Sequence, residues 1–361
     1  MLKNILYYPV IWLINLTDSS LIMKAYLLTR HGAAATLRPQ EVPEPLPGPG
    51  EVRVRVQYIG VNFAEILSRR GQYRWAPPMP YTLGMEAYGT IDAVGPGVDR
   101  VVGERVIAGG QYGSYAERMI VPSYMALPPV PHYTPEENAA VLVNYMTAWV
   151  GLMKLARLQA SDSVLVNAAA GGVGTAAVQL AKAQGCTVFG TASRPDKLTV
   201  LEQLGVDYPI NYRTHDFEQM IRQTQSGQGV DVVLELVGGE TFRKSRALLN
   251  PFGKLVIAGM AGLKWSPWNP LSWPTLLQHI PRARLLQMAQ RSSGLLATHI
   301  GYLIKDQTVV ATEWAALSAY LQQHAIRPLI SAVFSFDQLP IAHRFIESRT
   351  SYGKVIVSLA E

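Results

Sequence analysis

Gly171, Gly172 and Gly174 stand between an unbroken apolar run, Ser163-Val164-Leu165-Val166-Asn167, and an amphipathic stretch expected to be helical from Thr175 to Gln184. Glycine at 171 would let an anion approach the backbone, and glycine at 174 would let the helix close onto the strand. The helix that opens there offers unpaired N–H groups and a positive dipole end, which suits a pyrophosphate. Ala170 and Val173 complete the cradle. Ala169 occupies the first position of G-x-G-x-x-G, so the glycine fingerprint is incomplete. The strand before and the helix after carry the dinucleotide reading; the alternative is a tight glycine turn without ligand.

Dinucleotide sites selective for NAD place an acidic residue about 20 positions further on, against the ribose 2′-hydroxyl. Here that region reads Gly190-Thr191-Ala192-Ser193-Arg194-Pro195-Asp196-Lys197. The strand end carries no acid, and Ser193, Arg194 and Lys197 gather instead. A 2′-phosphate calls for charge-assisted donors of this kind, so the expected cofactor is NADPH. The competing reading is a solvated helix start.

Elements of alternating type must position these groups. From about Thr134 onward helices and strands alternate, starting with Thr134 as N-cap, Pro135 at N1 and Glu137 at N3. Expected strands include Thr187–Gly190, Tyr208–Ile210, Asp231–Glu235 and Lys254–Ala258. Helices are expected over Pro195–Leu204 and His215–Gln225. That pace predicts a doubly wound parallel sheet. From Met23 to about Ala126 the texture is short strands broken by glycine and proline, with Glu51–Gln57 alternating as a half-buried strand should. This part reads as a partly open β-barrel. The expected organisation is an apolar extension over 1–22, a substrate domain of 23–143 plus 302–361, and a dinucleotide domain over 144–301. A Trp/Pro-rich insert, 263–293, interrupts the second, and strands at Val333–Phe336 and Lys354–Val357 return to the first.

Composition narrows the function. At 361 residues two domains are the default. Charged residues are only 16% of the chain and the net charge is +6 without a Lys/Arg run, which argues against a nucleic-acid partner. Cys186 is the only cysteine, and the seven histidines form no H-x-x-x-H pair. Neither a disulfide nor a cysteine zinc site can be built, and no metal is expected. A reducing, cytoplasmic setting follows. The apolar run Ile5–Ile14 is too short to cross a bilayer as a helix.

Several further motifs are specific when taken together: Gly60-Val61-Asn62-Phe63-Ala64-Glu65, Arg70-Gly71-Gln72-Tyr73, Leu83-Gly84-Met85-Glu86-Ala87-Tyr88-Gly89, Asn144-Tyr145-Met146-Thr147-Ala148, Ile210-Asn211-Tyr212-Arg213 and Tyr352-Gly353-Lys354. With the glycine turn, they make the chain from about Met23 to its end resemble the zinc-independent quinone oxidoreductases of the medium-chain dehydrogenase/reductase superfamily. The segments Leu142–Ala148 and Val188–Ser193 look closest to the vesicle amine transport protein branch. The resemblance implies an α/β fold, with a GroES-like partly open β-barrel domain and a Rossmann domain, and a homodimer. Zinc-dependent relatives carry a ligand cysteine near the Asn62 position and a histidine beside the glutamate at Met85-Glu86; both are absent here.

The same resemblance implies roles. Thr147 would sit near the nicotinamide; Ser193, Lys197 and Tyr212 would surround the 2′-phosphate and adenine; Gly259 and Lys354 would flank the nicotinamide half. Asn62 and Tyr73 would line the substrate side. Without a metal, hydride must go to a carbon already electrophilic by conjugation, in a quinone or at the β-carbon of an α,β-unsaturated carbonyl. The developing oxyanion needs a proton or hydrogen bond, with Tyr73 and Asn62 as candidates. A packed tyrosine and a turn-stabilising asparagine are the bland readings of the two. An alternative function is an NADPH-binding, lipid-handling protein with little turnover, docked on membranes through 263–293 and the apolar N-terminus.

Overall fold

Val164, Leu165 and Val166 are fully buried, as expected of a strand covered on both faces. In the computed structural model, which describes residues 21–262, 274 and 285–359, this strand lies at the centre of a six-stranded parallel sheet. The order across the sheet is Tyr208–Asn211, Thr187–Ala192, Ser163–Val166, Val230–Glu235, Leu249–Ile257 and Gly294–Ala297. Strand order therefore reverses between Ser163–Val166 and Val230–Glu235. In open α/β sheets a ligand crevice forms at that switch point, beyond the carboxyl ends of the strands.

The glycine-broken N-terminal half forms the second sheet. Its seven strands include Glu51–Val61, Glu86–Val94, Arg105–Gly109 and Arg118–Pro122, extended by Lys354–Ser358 and Ile330–Ser335 from the end of the chain. Lys354–Ser358 pairs antiparallel with Glu51–Val61, Val355 opposite Val61 and Ile356 opposite Gly60, which brings Lys354 to the end of that strand, next to Asn62. The fold is α/β, a GroES-like domain joined to a Rossmann domain.

Boundaries differ from the sequence reading for local reasons. The helix expected from Thr175 opens at Gly172, because Thr175 N–H already bonds to the Gly171 carbonyl at 2.8 Å. The one expected from His215 opens at Phe217, since the Asp216 carboxylate accepts from the N–H groups of Glu218 and Gln219. Thr134 and Glu137 form the expected capping box. Among the unanticipated elements that follow the insert are the edge strand Gly294–Ala297 and the helix Gln307–Gln323, capped by Asp306. Residues 1–20 of the apolar extension and nearly all of 263–284 lie outside the described residues, and Ile22, expected to end the extension, opens the strand Ile22–Ala25. Among the described residues no helix is long and apolar enough to cross a membrane.

Candidate active site

The glycine turn is fastened from below. Ala168 takes a left-handed conformation, φ 51°, and Ala169 N–H bonds to the Thr191 carbonyl at 2.9 Å. The Thr191 hydroxyl donates to Asn167 Oδ1 (3.2 Å), and Asn167 Nδ2 reaches Glu235 Oε2 (3.0 Å) and Ser245 Oγ (2.8 Å). The other Glu235 oxygen accepts from the N–H groups of Val237 and Gly238. Burial pushes this carboxyl above its ordinary range, opposed by those hydrogen bonds. The network joins the ends of three neighbouring strands and holds the turn at the switch point.

Each glycine of the turn has its own surroundings. A β-carbon on Gly174 would stand 2.3 Å from the Ala168 carbonyl oxygen, so only glycine lets the helix approach this closely. One on Gly172 would collide with the Asn144 amide at 2.5 Å. On Gly171 the nearest neighbour is the Ala168 oxygen at 3.2 Å, with nothing else within 4 Å. Gly171 thus leaves room above the backbone, where the first-turn amides of Gly172, Val173 and Gly174 lack intrahelical acceptors. Ala170 contributes its carbonyl to Gly353 N–H at 2.9 Å, which ties the C-terminal loop of the other domain to the turn.

Ser193, Arg194, Lys197 and Tyr212 come together at the ends of Thr187–Ala192 and Tyr208–Asn211, whose last residues Ala192 and Asn211 pair directly. Ser193 is buried; Arg194 is partly buried and bonds to Asp196 at 2.9 Å. Lys197, in the first helical turn, is held below its ordinary value by burial, and the charges of Arg194 and Arg349 act in the same direction. Arg349 is a cation the sequence did not point to, since it lies some 150 residues further along the chain. A dinucleotide with an added phosphate fits this set: open backbone above Gly171, unpaired helix amides, and three cationic side chains near one strand end. Gly259, after the strand Leu249–Ile257, bonds through its N–H to the Glu235 carbonyl, and a β-carbon there would meet Leu236 O at 3.1 Å.

A buried polar cluster lies across from the turn. Asn62 is the N-cap of the helix Phe63–Arg69, and Glu65 returns the capping bond to its N–H at 2.6 Å. The Asn62 amide nitrogen is directed at Glu86 Oε1 (3.0 Å), Glu65 Oε1 (3.2 Å) and Gly60 O (3.2 Å), while its oxygen accepts from Lys354 Nζ at 2.6 Å. Lys354 also pairs with Glu86, both being buried. Glu65 is pushed up to about 7 by burial, against the opposing pull of Tyr115, Asn62 and Lys354. The second Glu86 oxygen accepts from Val143 N–H, fixing the start of the helix Leu142–Trp149, on which Thr147 bonds back to the Val143 carbonyl at 2.6 Å. The structure therefore brings Asn62 and Lys354 into direct contact.

Tyr73 belongs to a different group. Its hydroxyl lies 3.0 Å from His299 Nε2, and it lines a cavity with Met85, Gln111, Leu142, Val143 and Gly301. Burial pushes its phenol up to about 12, with Glu65, Tyr302 and Tyr81 acting in the same sense. His299 was not legible as a site residue, being one of seven scattered histidines beyond the break in the strand-helix rhythm. Among the described residues no group of three or more His, Cys, Asp or Glu side chains is placed to hold a metal.

A six-stranded Rossmann sheet beside a GroES-like sheet, with a glycine turn facing the junction, defines an oxidoreductase class, and comparison with known proteins agrees. Residues 48–132 match the alcohol dehydrogenase GroES-like domain and residues 172–286 the zinc-binding dehydrogenase domain. The chain belongs to the medium-chain dehydrogenase/reductase superfamily, in its VAT-1-like branch. It is 37% identical to the human synaptic vesicle membrane protein VAT-1 homolog over 93% of this chain and 86% of that one. It is 33% identical to mouse quinone oxidoreductase-like protein 2 over 89% and 88% of the two chains. A mycobacterial protein solved in complex with NADPH superposes with a TM-score of 0.82 at 28% identity, covering 93% of this chain and 99% of that one.

Proposed function

We propose that this protein is a zinc-independent, NADPH-dependent reductase of quinones or α,β-unsaturated carbonyls. The observation that carries the reading is the opening above Gly171 at a helix N-terminus, next to Ser193, Arg194 and Lys197 at the adjoining strand end. The NADPH-bound mycobacterial relative and the quinone oxidoreductase-like relative support the cofactor and the reaction class.

Bound NADPH supplies the hydride. The first-turn amides of Gly172, Val173 and Gly174 would hold the pyrophosphate, and Ser193, Arg194, Lys197 and Tyr212 would hold the 2′-phosphate and adenine. Thr147, Gly259 and Lys354 would lie toward the nicotinamide half. Asn62 lines the substrate side, held by Glu65, Glu86 and Lys354. Tyr73 donates a proton to the oxygen that gains charge as hydride reaches the conjugated carbon. Its raised pKa keeps it protonated at neutral pH. Asn62 and Met85 stand where zinc-dependent relatives carry ligands, and neither supplies a thiolate or imidazole. The test is loss of NADPH absorbance with a panel of quinones and enones, matched to reduced product. Absence of turnover across the panel refutes the reading.

A membrane-docking protein of low turnover is the second reading. One observation favours it: adjacent Leu285 and Leu286, within the insert, are 76% and 83% exposed. Sedimentation with anionic liposomes, with and without Leu285→Ser and Leu286→Ser, tests it.

A further inference from the structure

Among the described residues lining the cavity beside Tyr73, two carry polar side chains: Tyr73 itself and Gln111. The others are glycines, methionines and the aliphatic residues Leu142, Val143, Ile300 and Ile304. In a cavity of this kind the few polar groups decide how a bound molecule is oriented. Tyr73 packs against Trp75 and His299, with ring centroids 6.1 and 5.9 Å away.

Gln111 follows the strand Arg105–Gly109, in a loop whose backbone is pinned on both sides. Gly110 N–H bonds to the Met85 carbonyl at 2.9 Å, and Gly113 N–H bonds to the Thr82 carbonyl at 2.9 Å. Between them Tyr112 packs edge-on against Tyr81, with ring centroids 6.0 Å apart. The Gln111 side chain is half-buried, and its amide bonds to no described residue. That amide offers two N–H donors and one carbonyl acceptor. A polar group partly withdrawn from water is unfavourable until it finds a partner.

The geometry points to Gln111 as a specificity-determining residue that donates to a second oxygen of the substrate, remote from the one that takes a proton from Tyr73. The substrate class is then a conjugated dicarbonyl, with an oxygen at each end and hydrocarbon between them against the aliphatic wall. A simple enone leaves the Gln111 amide without its partner.

This inference rests on the reductase reading and on Tyr73 as proton donor. With cyclohex-2-ene-1,4-dione, hydride passes from the dinucleotide, which is oxidised, to the ring carbon β to one carbonyl. The oxygen of that carbonyl takes the Tyr73 proton, and the enol so formed tautomerises to cyclohexane-1,4-dione. Tyr73 regains its proton from solvent water. Gln111 breaks no bond; its N–H polarises the far carbonyl and holds the ring in one orientation.

Two measurements on the full chain test it. In steady state, Gln111→Leu should lower the ratio of kcat/KM for cyclohex-2-ene-1,4-dione to that for cyclohex-2-en-1-one by roughly 10-fold, the upper end of what one neutral hydrogen bond supplies. Gln111→Glu, which keeps the shape of the side chain but not its N–H groups, should lower the ratio at least as far. A ratio that neither variant changes contradicts the proposal. The side-chain amide signal of Gln111 in the ¹⁵N spectrum, assigned by its loss in Gln111→Leu, should shift on titration with cyclohexane-1,4-dione; a signal that stays in place contradicts it too. A wild-type protein that reduces neither substrate would sink the reductase reading instead, and the amide signal would still decide whether Gln111 binds the dicarbonyl.

Discussion

The carbonyl oxygen of Ala168 stands where the β-carbon of any residue other than glycine at 174 would have to lie. Gly174→Ala therefore either pushes the helix Gly172–Ala183 off its strand or distorts the turn. The expected cost is about 1–3 kcal/mol, as for other overpacked sites, read as a lower urea midpoint. Because the turn moves, NADPH affinity should fall as well, which calorimetry on the still-folded variant would register.

Lys354 and Glu86 form an almost fully buried ion pair. Removing one partner leaves an uncompensated charge in the interior. Lys354→Met should destabilise the protein by about 3–5 kcal/mol, and adding Glu86→Gln should return part of that loss. A double variant no more stable than the single would show that the pair is uncoupled.

His343 is buried beside Tyr115, whose hydroxyl lies 2.9 Å from its Nε2, and burial, aided by the Arg69 charge, pushes it down to about 3. A histidine held neutral contributes stability that is complete above its unfolded value near 6.5 and is lost as pH falls toward 3. Glu65, raised to about 7, acts with opposite sign, losing stability as pH rises from about 4.5 to 7. Comparing His343→Gln with wild type isolates the histidine: the gap in Tm between the two should narrow from pH 7 to pH 5. A gap independent of pH would contradict the buried neutral form.

Tyr73→Phe keeps the ring stacked near His299 and Trp75 but removes the proton. We expect kcat with an enone to fall by roughly 100- to 10,000-fold, with the dissociation constant for NADPH unchanged. An unaltered kcat would move proton donation elsewhere.

The parallel sheet was legible because each of its first five strands carries a short apolar run set off by glycine, proline or a cap, a local signal that survives without tertiary information. The edge strand Gly294–Ala297 was not, since four partly buried residues between the insert and His299 resemble a loop. The helix Gln307–Gln323 was missed because its buried positions, Val310, Glu313, Trp314, Leu317 and Leu321, include a glutamate that meets the Trp149 indole. At the site, residues gathered around the glycine turn were readable from spacing. Contacts made between distant segments were not. Asn62 with Lys354, Tyr73 with His299, and Lys197 under the field of Arg349 depend on how the two sheets meet.

Grip on the 2′-phosphate underlies the choice of NADPH, and isothermal titration measures it directly. Wild type should bind NADPH at least about 10-fold more tightly than NADH, as one charge-assisted contact or more would supply. Arg194→Ala with Lys197→Ala should abolish that preference while sparing NADH. A protein that takes up neither nucleotide, or a double variant that weakens both equally, would contradict it.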